Sequence, residues 1–147
     1  MTGLDQFAAS TSIPIASREN GTHRWDSMDL IIQGGIKVMQ FDCTRSSGIT
    51  EYLKVASLYA IQNVRLAPHH RPQIHGHLVA ALPVGEILET FPTADQDPVW
   101  AEIFTVRPEI HNSEKALLDR PVWGIELNED TLQARGAWAY GPVIPAL

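Results

Sequence analysis

A chain of 147 residues with 44% apolar and 19% charged side chains has the makeup of one globular domain with a real core, which excludes a disordered segment. A net charge of −6 and a pI near 5.4 argue against a nucleic-acid surface, and a single cysteine, Cys43, excludes an intrachain disulfide and suits a reducing cytoplasm. No apolar run reaches the roughly 18 residues of a membrane span, and Met1-Thr2-Gly3-Leu4-Asp5 has neither the basic nor the apolar part of a signal peptide, so neither membrane nor secretion is expected.

Leu4 to Ser10 reads as the last turns of a helix, and Ser12-Ile13-Pro14-Ile15-Ala16 as a short strand. Trp25, Met28, Ile31 and Ile32 then fall at helical spacing, closed by the stop signal Gly34-Gly35. Ile36 to Phe41 is the second strand. Ile49, Leu53, Ala56 and Ala60 form the stripe of an amphipathic helix, with Ser47 and Gly48 suited to its N-terminal cap. Asn63 to Ala67 is the third strand. A shorter helix from Ile74 to Leu82 stops at Pro83, and Glu86-Ile87-Leu88 is the fourth strand.

Strand alternating with helix is the pattern of parallel α/β architecture with right-handed crossovers. Four βα units make about half of a complete barrel, which takes roughly 250 residues. Residues 1–90 are therefore expected to form either a small open sheet or part of a larger barrel. Residues 91–147 change character: Pro92, Pro98, Pro108, Asn112-Ser113 and Pro121 punctuate an irregular extension. A hairpin of Glu109-Ile110 against Ala116-Leu117-Leu118 is expected there, then a short strand over Gly124-Ile125-Glu126-Leu127 and a helical turn capped by Asn128.

Glu19, Asp42, His69 and Glu89 recur at intervals of roughly 20 to 27 residues, each at or just past the end of a strand. In a barrel of parallel strands that period places all four on one rim, where catalytic groups collect. Alone, Asp42 reads as a cap or turn residue, and Glu19 and Glu89 as solvated carboxylates. In register, Asp42 and His69 occupy neighbouring strand ends, where a carboxylate bonded to an imidazole nitrogen fixes its tautomer and raises its basicity. The run His69-His70-Arg71-Pro72-Gln73-Ile74-His75-Gly76-His77 offers a zinc reading. Its spacing matches no compact zinc motif and no cysteine stands near it in sequence, so solvated or capping histidines are the stronger reading. His75 and His77 fall at the start of a helix, where polar residues are ordinary.

Ile13-Pro14-Ile15-Ala16-Ser17-Arg18-Glu19-Asn20, Gln40-Phe41-Asp42-Cys43-Thr44-Arg45-Ser46-Ser47-Gly48-Ile49-Thr50-Glu51, Ala67-Pro68-His69-His70 and Gly76-His77-Leu78-Val79-Ala80-Ala81-Leu82-Pro83 together resemble the enolase superfamily. The likeness is to the mandelate racemase/muconate lactonising enzyme branch, mandelate racemase subgroup. Trp123 to Asp130 fits the tail of such proteins, and the resemblance runs in order from about residue 4 to 133. It implies the C-terminal half of a TIM-type (βα)₇β barrel, strands five to eight, with no counterpart for the N-terminal capping domain. Arg18 stands where the family usually has glycine, and Phe41 where it often has proline.

The resemblance also implies roles. Glu19 matches the fifth-strand ligand of Mg²⁺, a cofactor that this chain holds only with the missing carboxylate ligands supplied. Asp42 and His69 match the acid–base dyad, and Glu89 matches the acid that hydrogen-bonds a substrate carboxylate as it becomes an enolate. The implied chemistry is removal of a proton α to a carboxylate with a metal-stabilised enediolate. The substrate class is a small carboxylate: an acid sugar to be dehydrated, or a 2-hydroxy acid to be racemised. The implied partner is the missing N-terminal half or another copy of the chain. The alternatives are a non-catalytic remnant and a half-barrel binding module.

Overall fold

The computed structural model describes residues 3–91, 93–106 and 110–136. Two compact units divide the chain, residues 1–90 and 91–147.

The first unit opens with α1 (Gly3–Ala9) and β1 (Ala16–Ser17), followed by α2 (Arg24–Gly34), β2 (Val38–Met39), α3 (Gly48–Ile61), β3 (Arg65–Leu66) and α4 (Pro72–Ala81). The sheet runs β1-β2-β3, all parallel, in the register Ala16–Val38–Arg65 and Ser17–Met39–Leu66. Leu66 also makes a parallel bridge to Gly85. This is the alternation expected of part of a parallel barrel. Gly35 ends α2 in the left-handed conformation (φ 63°), as its sequence position predicts.

The strands are shorter than expected. Pairing at the first begins at Ile15, whose carbonyl accepts from the Lys37 and Val38 amides; Ile13 before it is exposed and Pro14 has no amide to donate. The fourth segment forms a bridge instead of the strand expected over Glu86 to Leu88. The Leu66 amide donates to the Val84 carbonyl (2.7 Å) and the Glu86 amide to the Leu66 carbonyl (2.9 Å). Gly85 lies so close to α4 that a Cβ there would fall 2.0 Å from the Val79 carbonyl oxygen.

The core of this unit joins Ile36, Met39 and Phe41 to Tyr52, Val55, Ala56, Tyr59, Val64, Leu66 and Leu78. The face of α3 that packs is Tyr52, Val55, Ala56 and Tyr59, not the expected stripe: Leu53 and Ala60 are exposed and only Ala56 of that set is buried. Both stripes have helical period, and the one bearing two tyrosine rings covers more apolar area. Of its two buried hydroxyls, that of Tyr59 donates to Ser27 Oγ at 3.1 Å, while that of Tyr52 has no hydrogen-bond partner among the described residues. That bond also explains α2, where Ser27 is fully buried while Trp25 is 69% exposed and Ile32 faces solvent. Ser47 occupies the N-cap position of α3, but its side chain makes no capping bond.

The second unit contains α5 (Pro98–Glu102), β4 (Phe104–Val106), β5 (Ile110–His111), β6 (Glu114–Lys115), a 3₁₀ turn (Val122–Gly124), β7 (Glu126–Leu127) and α6 (Glu129–Ala134). β4 pairs antiparallel with β7, and β5 with β6. The hairpin is tighter than expected because Asn112 and Ser113 both take positive φ (51° and 64°), the two-residue turn whose twist suits a hairpin. Glu109 of the expected hairpin lies outside the described residues, as do Pro92 and Pro108. The last strand is confined to Glu126–Leu127, and Asn128 caps α6 by accepting from the Thr131 amide. No helix among the described residues is long and apolar enough to cross a membrane.

Candidate active site

The register that aligns Ser17, Met39, Leu66 and Gly85 carries the four expected residues to one rim. Beyond the last paired residues the ladder continues: the Gln40 amide donates to the Ser17 carbonyl, the Ala67 amide to Met39 and the His69 amide to Gln40. These bonds fix the backbone immediately beside Asp42 and at His69 itself.

Asp42 is fully buried, and its two oxygens have different surroundings. Oδ1 accepts from both the amide and the hydroxyl of Thr44, each at 2.7 Å, and lies 3.3 Å from His75 Nε2. Oδ2 has no hydrogen-bond partner among the described residues and faces His69 Nδ1 at 3.7 Å, an atom that is likewise buried without a partner. The other ring nitrogen of His69 lies 3.5 Å from Glu19 Oε2. Glu19 is 52% exposed, and its second oxygen accepts from the Asn20 side-chain amide at 3.1 Å. Glu89 is half-buried and accepts from the His70 amide at 3.3 Å. All four residues singled out in the sequence therefore meet, in the order Glu19, His69, Asp42, with Glu89 joined through the residue after His69. Ala16 to Asn20, Leu30 and Gln40 line a groove of about 370 Å³ on the Glu19 side.

Arg18 has φ 93°, a conformation that strains any side-chained residue and that the family's usual glycine adopts freely. Its guanidinium is drawn to Asp26 at 2.5 Å, toward α2.

His75 lies in the first turn of α4, as expected, but it is fully buried and not an ordinary polar residue of a helix start. Nδ1 is 2.6 Å from the His70 carbonyl, Nε2 is 3.1 Å from the Cys43 amide, and the ring stacks on Tyr52 with centroids 5.7 Å apart. The cysteine that is distant in sequence is thus adjacent in space: donor atoms of Asp42, Cys43 and His75 lie within 4.8 Å of one another, as do those of His69, His70 and Glu89. A signal for His75 was present. It stands three residues before Leu78 and seven before Leu82, on the inward face of its helix. Thr44 was also missed, although Asp-x-Thr after a strand is a sequence that turns back on its own carboxylate.

Burial pushes the Asp42 carboxyl upward, but the bonds from His75 and Thr44 outweigh it and hold the group down to about 2. Burial pulls His75 downward, and there the bonds to Asp42, to the Cys43 side chain and to the His70 carbonyl win, raising it to about 9. Asp42 is therefore an anion throughout the neutral range.

Parallel strands from successive βα units, with charged side chains converging where the strands end, are the layout of part of an α/β barrel, whose strand ends form a rim. The chain belongs to the enolase C-terminal domain-like family, whose model matches residues 1–131. L-talarate/galactarate dehydratase of Salmonella typhimurium is 32% identical over 128 residues, covering 86% of this chain and 30% of that protein. A mandelate racemase/muconate lactonizing enzyme from a marine actinobacterium, solved in complex with magnesium, superposes with a TM-score of 0.81 at 32% identity, over 89% of this chain and 37% of that one. L-talarate dehydratase from Polaromonas sp. JS666, complexed with Mg and L-glucarate, superposes with a TM-score of 0.74 at 32% identity, over 86% and 34%. The chain thus spans about a third of the length of these relatives, and its fold is the C-terminal half of a TIM-type barrel.

Proposed function

We propose that this chain supplies the acid–base half of a cytoplasmic acid-sugar dehydratase, with His69 as the proton-transfer residue, Asp42 as its orienting partner and Glu89 as the group that meets the substrate carboxylate. One observation carries the reading. His69 Nδ1 and Asp42 Oδ2 are both buried, both without a hydrogen-bond partner among the described residues, and 3.7 Å apart. A small rotation of either side chain closes them to bonding distance, and each then satisfies the other. With Nδ1 facing Asp42, Nε2 is the nitrogen left for the substrate.

Dehydration removes the proton α to the carboxylate and expels the neighbouring hydroxyl. The C–H electron pair becomes the enolate and then the new C=C bond as the C–O bond breaks. His69 Nε2 takes the α-proton and gives a proton to the departing oxygen, so the leaving group is water and the ring ends as it began. The choice of dehydration over racemisation rests on the relatives, whose names describe dehydratases of sugar acids.

Magnesium accompanies the sugar-acid ligand in the Polaromonas relative. In this chain Glu19 is the one rim residue assigned to such an ion, and a single half-exposed carboxylate does not make the near-octahedral oxygen shell Mg²⁺ needs. Glu19 alone therefore does not make a magnesium site. Further carboxylates must come from the rest of the barrel, on another segment or another chain.

The test pairs this chain with that remainder and offers galactarate, galactonate and glucarate in deuterated water. Formation of a 2-keto-3-deoxy acid, lost in His69→Asn, is the expected result. Exchange at the α-carbon with no loss of water identifies a racemase instead. Full activity in His69→Asn refutes the assignment.

A further inference from the structure

We infer that His75 is a positioning residue that ties together the two turns carrying Asp42 and His69, an inference that rests on the acid–base pair proposed above. Its two ring nitrogens reach two different segments. Nδ1 lies 2.6 Å from the His70 carbonyl, which has only lone pairs to offer, so the proton sits on that nitrogen. Nε2 lies 3.1 Å from the Cys43 amide and 3.3 Å from Asp42 Oδ1. A neutral ring accepts from Cys43, and a charged ring donates to Asp42. In either state one end of the ring holds the residue after His69, and the other end holds Asp42 or the residue after it.

Both turns need such a hold. His70 and Arg71 take positive φ (48° and 51°) in succession, a conformation unfavourable for side-chained residues that persists only when the surroundings enforce it. The bond from His75 to the His70 carbonyl acts inside that turn. On the Asp42 side, Thr44 engages Oδ1 twice and His75 flanks the same oxygen, so Oδ2 is the one turned to His69. The stack on Tyr52, with 21° between the planes, keeps both nitrogens aimed. A histidine serving only to fill the core has no need to place each nitrogen beside a different member of the pair.

The experiment uses the full chain with ¹⁵N-labelled histidine and reads the ratio of Nδ1–H to Nε2–H tautomer at His69 by NMR. Asp42→Asn is the reference for a broken pair. His75→Phe keeps the ring shape and the stack but neither bond. His75→Asn places an amide near Nδ1 and keeps the His70 side only, and His75→Gln reaches toward Asp42 and Cys43. In His75→Phe and His75→Asn the His69 tautomer ratio is expected to fall about fivefold, as for loss of one aligned hydrogen bond, matching Asp42→Asn. His75→Gln, which keeps the Asp42 side and loses the His70 side, is expected to fall between wild type and His75→Asn. No change in Asp42→Asn would sink the acid–base pair itself, whatever His75 does. A change in Asp42→Asn with none in His75→Phe and His75→Asn overturns only the positioning role. If the Phe variant does not fold, the Asn and Gln variants decide: equal ratios overturn the inference, and unequal ones in the stated direction support it.

Discussion

The buried Asp42–His75 contact makes the stability of this chain depend on pH from both sides. Asp42 is held down to about 2 from 3.8, so its contribution is present above pH 3.8 and is lost as pH falls through about 2. His75 is held up to about 9 from 6.5, so its contribution is complete below pH 6.5 and is lost as pH rises through about 9. Each tenfold change in acidity is worth about 1.4 kcal/mol, which makes the Asp42 limb about 2–3 kcal/mol and the His75 limb about 3–4 kcal/mol. The two figures describe one interaction seen from its two partners, so they are alternatives and do not add. Urea unfolding of the full chain, followed by the fluorescence of its tryptophans at pH steps between about 3 and 10, measures the profile directly. Maximum stability is expected from about pH 4 to 6.5, with a fall of about 3–4 kcal/mol completed above pH 9. His75→Phe lowers the plateau and removes the alkaline limb, because no imidazole remains to deprotonate. A wild-type profile flat from pH 6.5 to 9.5, or an alkaline limb of the same size in His75→Phe, would refute the charge assignment.

Three further changes probe the scaffold. Gly85→Ala should cost about 3 kcal/mol or more in urea unfolding, because the new Cβ meets the backbone of Val79 and not a side chain that can turn away; a loss under about 1 kcal/mol would show that α4 shifts freely. Tyr59→Phe should cost about 1–2 kcal/mol by stranding the buried Ser27 hydroxyl, and adding Ser27→Ala should recover part of the loss, a coupling read by a double-mutant cycle. Arg18→Gly should be about 1 kcal/mol more stable than Arg18→Ala, since both lose the pair with Asp26 and only glycine relaxes at φ 93°. The opposite order in thermal midpoints would mean that Arg18 is not strained.

The order of the βα units and the convergence of Glu19, Asp42, His69 and Glu89 were legible because both follow from period: strand and helix alternate, and parallel strands end on one side. What depends on packing was not. Two helical stripes compete on α3, and only the volume that two tyrosines fill decides between them. The fourth strand has strand-forming residues at Ile87 and Leu88, yet pairing stops at Glu86, after a glycine pressed against α4. His75 went unrecognised because its partners, His70 and Cys43, are fixed by the tertiary fold: one is five residues back through a left-handed turn, the other is on the preceding unit.

The rim also differs in how firmly it is held, and that difference divides the chemistry. Side-chain exposure rises from 1% at Asp42 to 14% at His69 and 52% at Glu19. At the buried end, neighbouring strands hold the backbone and Thr44 and His75 hold Asp42 Oδ1, and placing the carboxylate against the imidazole requires nothing from outside this chain. At the exposed end Glu19 is held by the adjacent Asn20 side chain and stands across from His69 at 3.5 Å. A half-solvated carboxylate keeps its rotamer freedom until a cation and further ligands constrain it. On the function proposed above, the Asp42–His69 pair is therefore placed by this chain alone, whereas an ion at Glu19 would be held only once facing carboxylates are supplied. A His69–Asp42 tautomer preference already present in the chain alone, unchanged by added Mg²⁺, is the expected signature of that division; a preference that appears only after the remaining carboxylates and Mg²⁺ are supplied would show that the two halves assemble together.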